Sequence, residues 1–104
     1  MKILAIEHDP PDVRDDQFTT KLLHAEACRA WELQQAGIIR ELYFRADRSE
    51  AILMLECADE AEARSILATL PLVRAQLIGF ELIPLIAYPG FARLFATADT
   101  STTL

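Results

Sequence analysis

Three short segments constrain this chain more than anything else in it: Lys2–His8, Ala51–Leu55 and Ile78–Tyr88 read as strands that are apolar on both faces. In the first, Ile3 and Ala5 point one way and Leu4 and Ile6 the other, while Ala51-Ile52-Leu53-Met54-Leu55 does not alternate at all, as expected of a central strand. Such strands need cover on two sides. Only two helical patterns are present to supply it. The first starts between Asp15 and Thr19, where Asp15 and Asp16 suit a helix N-terminus, and stops at Gly37, which reaches the left-handed conformation at no steric cost. The second opens on Asp59-Glu60-Ala61-Glu62, a capping-box arrangement, presents Ala63, Ile66, Leu67 and Leu70, and ends at Pro71.

Ile38–Arg45 alternates, with Ile39, Glu41, Tyr43 and Arg45 on one side and Arg40, Leu42 and Phe44 on the other, half polar in the manner of an edge strand. The polar turn Asp47–Glu50 is too short for a crossover, so this strand and Ala51–Leu55 form an antiparallel hairpin. Leu72–Leu77 is a turn or short helical piece, and Pro84 marks an edge or bulge in the last strand. The order strand, helix, strand, strand, helix, strand predicts an α+β fold: a ferredoxin-like βαββαβ antiparallel sheet with two helices on one face.

The other face is then bare. Each large side chain left unburied there costs roughly 1.5–3 kcal/mol, so a second copy of the chain is expected to cover it. Face-to-face pairing gives a dimeric α+β barrel, a homodimer or higher homo-oligomer, with Phe91, Leu94 and Phe95 placed to clasp the partner. A length of 104 residues leaves room for one core, so residues 1–95 are expected to form a single domain and 96–104, rich in Thr, Ser and Ala, a flexible tail.

Charge narrows the partners. The net charge is −6 and the ten Lys and Arg are scattered singly, which excludes the basic face that nucleic acid and anionic membranes require. No apolar run approaches the ~20 residues of a membrane span. Met1–Ile6 is too short for a signal-peptide core before Glu7 and Asp9 interrupt it, so the expected location is cytoplasmic. Cys28 and Cys57 have no metal-ligand spacing and read as free, mostly packed thiols.

One carboxylate is out of place. At 100° per residue, Leu23, Ala27, Ala30, Leu33 and Gln34 fall within about 80° of one direction on the first helix, and Glu26 falls inside the same arc. Glu26 is therefore a buried group with a partner, for instance in an ion pair with Arg40, or one wall of a pocket. In a pocket, desolvation raises its pKa toward the range of a proton shuttle. Arg40 can read a substrate carboxylate bidentately, or it is a solvated edge-strand arginine. Tyr43 can donate to an enolate or simply pack. His24 and Trp31 flank the apolar stripe and can line a pocket mouth or lie on the surface, and His8 is a candidate second proton carrier. No metal spacing, phosphate loop or nucleophile elbow is present, so neither metal nor cofactor is expected.

Glu26, Leu33-Gln34-x-x-Gly37, Arg40-x-Leu42-Tyr43, Leu70-Pro71-Leu72 and Pro89 together resemble the muconolactone isomerase family of dimeric α+β barrel proteins, in nearly ungapped register from Lys21 to Pro71. The resemblance implies a ferredoxin-like dimeric barrel and proton transfer within an unsaturated lactone, without metal or organic cofactor. Glu26 matches a position of that family and is the candidate catalytic base, while the residues themselves offer Arg40, Tyr43, Trp31 and His24 as substrate-binding candidates. The chain departs from the family in having Leu4 and Ile6 but no basic residue in mid-strand, an insertion near Ala75–Phe80 and a longer tail. The leading expectation is a cofactor-free small-molecule enzyme, isomerase-like, acting on a lactone or related carbonyl compound. The alternatives are a non-catalytic ligand-binding or assembly domain of the same fold, and a cofactor-independent monooxygenase using Trp31 and Tyr43.

Overall fold

Hydrophobic period and capping place most elements where the sequence predicts them. The structure, a computed structural model, describes residues 1–96. The tail expected over 96–104 lies outside the described residues except for Ala96. Strand β1 (Lys2–His8) leads through a 3-10 turn (Asp15–Gln17) to α1 (Thr20–Gln35), followed by β2 (Ile39–Phe44), β3 (Ala51–Glu56), α2 (Glu60–Leu67), a one-turn helix α3 (Pro71–Arg74), β4 (Gly79–Leu85) and a 3-10 segment (Pro89–Phe95). The sheet is antiparallel in the order β2-β3-β1-β4, the ferredoxin-like arrangement, with β1 and β3 central. No described helix is long and apolar enough to cross a membrane.

Asp15 and Asp16 belong to the 3-10 turn, and α1 is instead capped by Thr19, whose hydroxyl accepts from the Leu22 N–H at 3.2 Å. At its other end, the Gly37 N–H donates to Gln34 and the Ile38 N–H to Leu33, each at 3.0 Å, with Gly37 at φ +79°. These paired bonds satisfy orphan carbonyls and turn the chain directly into β2. A Cβ in that backbone conformation is strained, so Gly37→Ala is expected to lower stability by about 1–2 kcal/mol in denaturant unfolding. On α2, Asp59 accepts from the Glu62 N–H at 2.8 Å, but the Glu62 carboxylate returns to the N–H of Ala58 rather than of Asp59. Cys57 is buried and Cys28 exposed, so only one of the two free thiols is packed.

Strand alternation divides the sheet. Ile3, Ala5, Leu53, Leu55 and Leu82 face the helices and pack with Leu33 of α1 and Ala63 and Leu67 of α2. Leu4, Ile6, Ile52, Met54 and Ile83 occupy the opposite face, which carries no helix among the described residues. The pattern in β2 differs from simple alternation. Ile39 pairs with Leu55 but Glu41 with Met54, so two residues of β2 span one step of β3. This bulge leaves Arg40 as the extra residue and reverses the phase beyond it. Ile39, Leu42 and Phe44 therefore share the helix side, and Glu41 and Tyr43 pair with Met54 and Ile52 on the open side. The last strand ends at Leu85, three residues short of its expected limit.

Candidate active site

The first helix carries Ala27 and Ala30 where larger side chains would fill the space over the sheet, and a cavity of about 260 Å³ lies there. Its floor is Ile39, Leu42 and Phe44 of β2 with Leu53 of β3, and its far wall is Leu70, Leu72, Ile78 and Phe80. Leu23, Leu42 and Phe44 are exposed side chains on its border, so the mouth opens between α1 and the edge strand. Two carboxyl groups interrupt this apolar lining: Glu26 and Glu7.

Glu26 comes from α1, on the face the helical period assigns it. Its Oε1 accepts from the Leu72 N–H at 2.9 Å, which also satisfies one orphan donor at the start of α3. No cation pairs with it among the described residues, and the expected alternative partner, Arg40, instead donates to the carbonyl of Gly37 at 2.6 Å. Burial raises the Glu26 pKa, an effect the Leu72 N–H partly offsets. Its Oε2 accepts no hydrogen bond among the described residues, and no described side-chain oxygen is both sealed and unpartnered, so this oxygen is open to the cavity or solvent. Glu26 is thus both things the sequence allowed: a polar group with a partner and a wall of a pocket.

Glu7 was legible only as an interruption of an apolar run. It follows Ile3 and Ala5 at period two, and that spacing, read as a face, puts a carboxylate on the helix side of β1. It is 8% exposed, and its Oε1 accepts from the Ala51 N–H at 2.9 Å. Its pKa rises from 4.5 to about 7 because burial disfavours the anion and the Asp9 and Glu50 carboxylates beside it add to the rise; the Ala51 N–H acts in the opposite direction. The carboxylate that β1 delivers to the cavity is thus one residue before His8, the carrier that the sequence suggested.

This shift makes stability depend on pH. The folded chain holds the Glu7 proton more tightly than the unfolded chain, so the favourable contribution is complete below the unfolded value of 4.5 and is lost as pH rises through about 7. At about 1.4 kcal/mol per unit, the loss is of the order of 2–4 kcal/mol. Denaturant unfolding of wild type and Glu7→Gln at about pH 5 and pH 8 should show that the wild type loses more stability over that interval than the variant does. Equal losses in the two proteins would contradict the assignment.

The remaining expected site residues lie elsewhere. Arg40, Tyr43, Trp31 and His24 are all exposed and none lines the cavity of the single chain. Tyr43 donates to Glu41 at 2.9 Å on the open face, and His24 Nε2 lies 3.5 Å from the sulfur of Cys28 on the surface of α1. No group of three or more His, Cys, Asp or Glu among the described residues is arranged to hold a metal ion.

The fold has counterparts among solved structures. A solved muconolactone isomerase has a TM-score of 0.69, with 19% identity over 99% of this chain and 100% of its own. The 5-chloro-2-hydroxyhydroquinone dehydrochlorinase of Burkholderia phenoliruptrix AC1100, solved in complex with 2,5-dihydroxybenzoquinone, has a TM-score of 0.62, with 17% identity over 83% of this chain and 94% of its own. Identities this low establish a shared fold. No curated protein sequence matches significantly. The profile of the muconolactone delta-isomerase family, however, matches residues 4–90, from within the strand that carries Glu7 through the helix that carries Glu26 and the other three strands of the sheet, and the chain therefore belongs to the muconolactone delta-isomerase family.

Proposed function

We propose that the chain is a cofactor-free isomerase that transfers a proton within an unsaturated lactone or related carbonyl compound held in this cavity. The observation that carries the reading is Glu26: a carboxyl group with a raised pKa, opening onto an apolar cavity and unpaired with any cation among the described residues. Moving a double bond next to a carbonyl requires a base to remove the α proton, a donor for the enolate oxygen and an acid to return the proton. In this mechanism Glu26 is the base. Glu7, with a pKa of about 7, is present in both protonation states near neutrality, so its acid form can donate a hydrogen bond to the enolate oxygen, while the proton taken by Glu26 returns from Glu26 to carbon and leaves both groups as they began.

Membership of the family supports this reaction class, and the muconolactone isomerase and dehydrochlorinase that share the fold both have names drawn from ring compounds bearing oxygen. The mechanism uses neither Arg40, Tyr43, Trp31 nor His24. It is tested by comparing wild type and Glu26→Gln for isomerisation of an unsaturated lactone, followed by proton NMR. An unaltered rate in the variant would leave Glu26 as a structural cap for α3 and return the chain to the ligand-binding alternative.

A further inference from the structure

The cavity has an unusual charge balance. All ten Lys and Arg of the chain lie within the described residues, and none lines it; neither does either histidine. Arg40 is turned to the Gly37 carbonyl, Arg45 to Asp47 at 2.7 Å, and Arg29 to Thr69 at 2.9 Å. The two polar side chains in the lining are both acids, and each already occupies a backbone N–H, of Ala51 and of Leu72 respectively. Behind Glu7 the surroundings are acidic as well: a second hollow that shares Glu7 is lined by Asp9, Asp15 and Glu50, with Arg48 paired to Glu50 at 2.5 Å. The border at the mouth is apolar, formed by Leu23, Leu42 and Phe44.

An anionic ligand entering here would leave water, find no cation among the described residues, and depend for any donor on the proton of a carboxyl group whose ionised form repels it. Burying an unpaired charge is strongly unfavourable, and like charges nearby add to the cost. An uncharged ring meets none of these penalties. Its carbonyl oxygen can accept from a protonated carboxyl, and its carbon atoms match the aliphatic walls. Size agrees with this. A dry cavity of about 150 Å³ holds benzene, so the about 260 Å³ here suits one ring with small substituents.

We infer that the ligand of this cavity is a neutral, single-ring carbonyl compound, and that a carboxylate arm such as muconolactone bears is selected against. This inference rests on the cavity being the site proposed above, and it narrows the substrate class within that reading.

The test uses two probes that differ in the charge of one arm, muconolactone and its methyl ester, titrated into the chain near neutral pH and followed by protein NMR. The expected result is binding of the ester at least tenfold tighter than the carboxylate, with shifts at Glu26, Leu53 and Phe80, and loss of that binding in Ala30→Phe, which fills the space above the sheet. Equal or tighter binding of the carboxylate, with the same sensitivity to Ala30→Phe, would overturn the inference while leaving the proposed function standing. Binding of neither probe at millimolar concentration, or binding indifferent to Ala30→Phe, would remove the cavity as the site and overturn both.

Discussion

Glu26→Gln should reduce turnover of an unsaturated lactone by about 10²–10⁴-fold, the usual contribution of one positioned acid or base. The substitution separates chemistry from structure better than alanine would. Glutamine has the same shape, and its amide oxygen can still accept the Leu72 N–H that now holds Oε1 at 2.9 Å, so α3 keeps its N-terminal cap. Only the ability to take a proton is lost. Stability should be unchanged or slightly higher at neutral pH, because burial already disfavours the Glu26 anion. A loss of turnover accompanied by a large fall in melting temperature would instead indicate that the α1–α3 junction had been damaged.

The second large effect concerns the bare face of the sheet. Leu4 lies between Met54 and Ile83, and Ile6 beside Ile52, forming a contiguous apolar patch across three strands. Leu4, Ile6, Ile52 and Met54 are half-buried and Ile83 is exposed, so each gains part of the roughly 1.5–3 kcal/mol of full burial, together several kcal/mol per copy. That is a substantial fraction of the whole stability of a small domain. The wild-type chain should therefore sediment as a dimer or larger homo-oligomer at micromolar concentration. Leu4→Asp, at the centre of the patch, should give monomers that are far less prone to associate, because a two-fold interface would place the new carboxylates near one another. Phe91, Leu94 and Phe95 are also exposed, and truncation after Tyr88 should weaken association if they clasp the partner as their composition suggests. A wild-type monomer at micromolar concentration would defeat the argument from the two-faced strands.

Much of this architecture was legible because its causes are local. Gly37 closes α1 through its own backbone freedom, Asp59 caps α2 through its own side chain, and the turn between β2 and β3 is too short for anything but a hairpin. Glu26 could be placed on the buried face from helical spacing alone. The ion pair with Arg40 could not be judged that way, since it depended on where the β2 backbone carried the guanidinium, and that backbone folds it against Gly37.

The order of elements, the two-sided apolar character of the central strands and the oddity of a carboxylate at position 26 follow from local pattern, because periodicity and capping act over a few residues. The rest depends on contacts between distant segments. The bulge at Arg40 depends on the register between β2 and β3, and it moved Leu42 and Phe44 into one wall with Ile39. Glu7 became a second acid only because β1 lies beneath the gap left by Ala27 and Ala30 and beside Asp9 and Glu50, groups brought together from three separate parts of the chain. A pKa is a property of surroundings, and these surroundings exist only once the helix rests on the sheet.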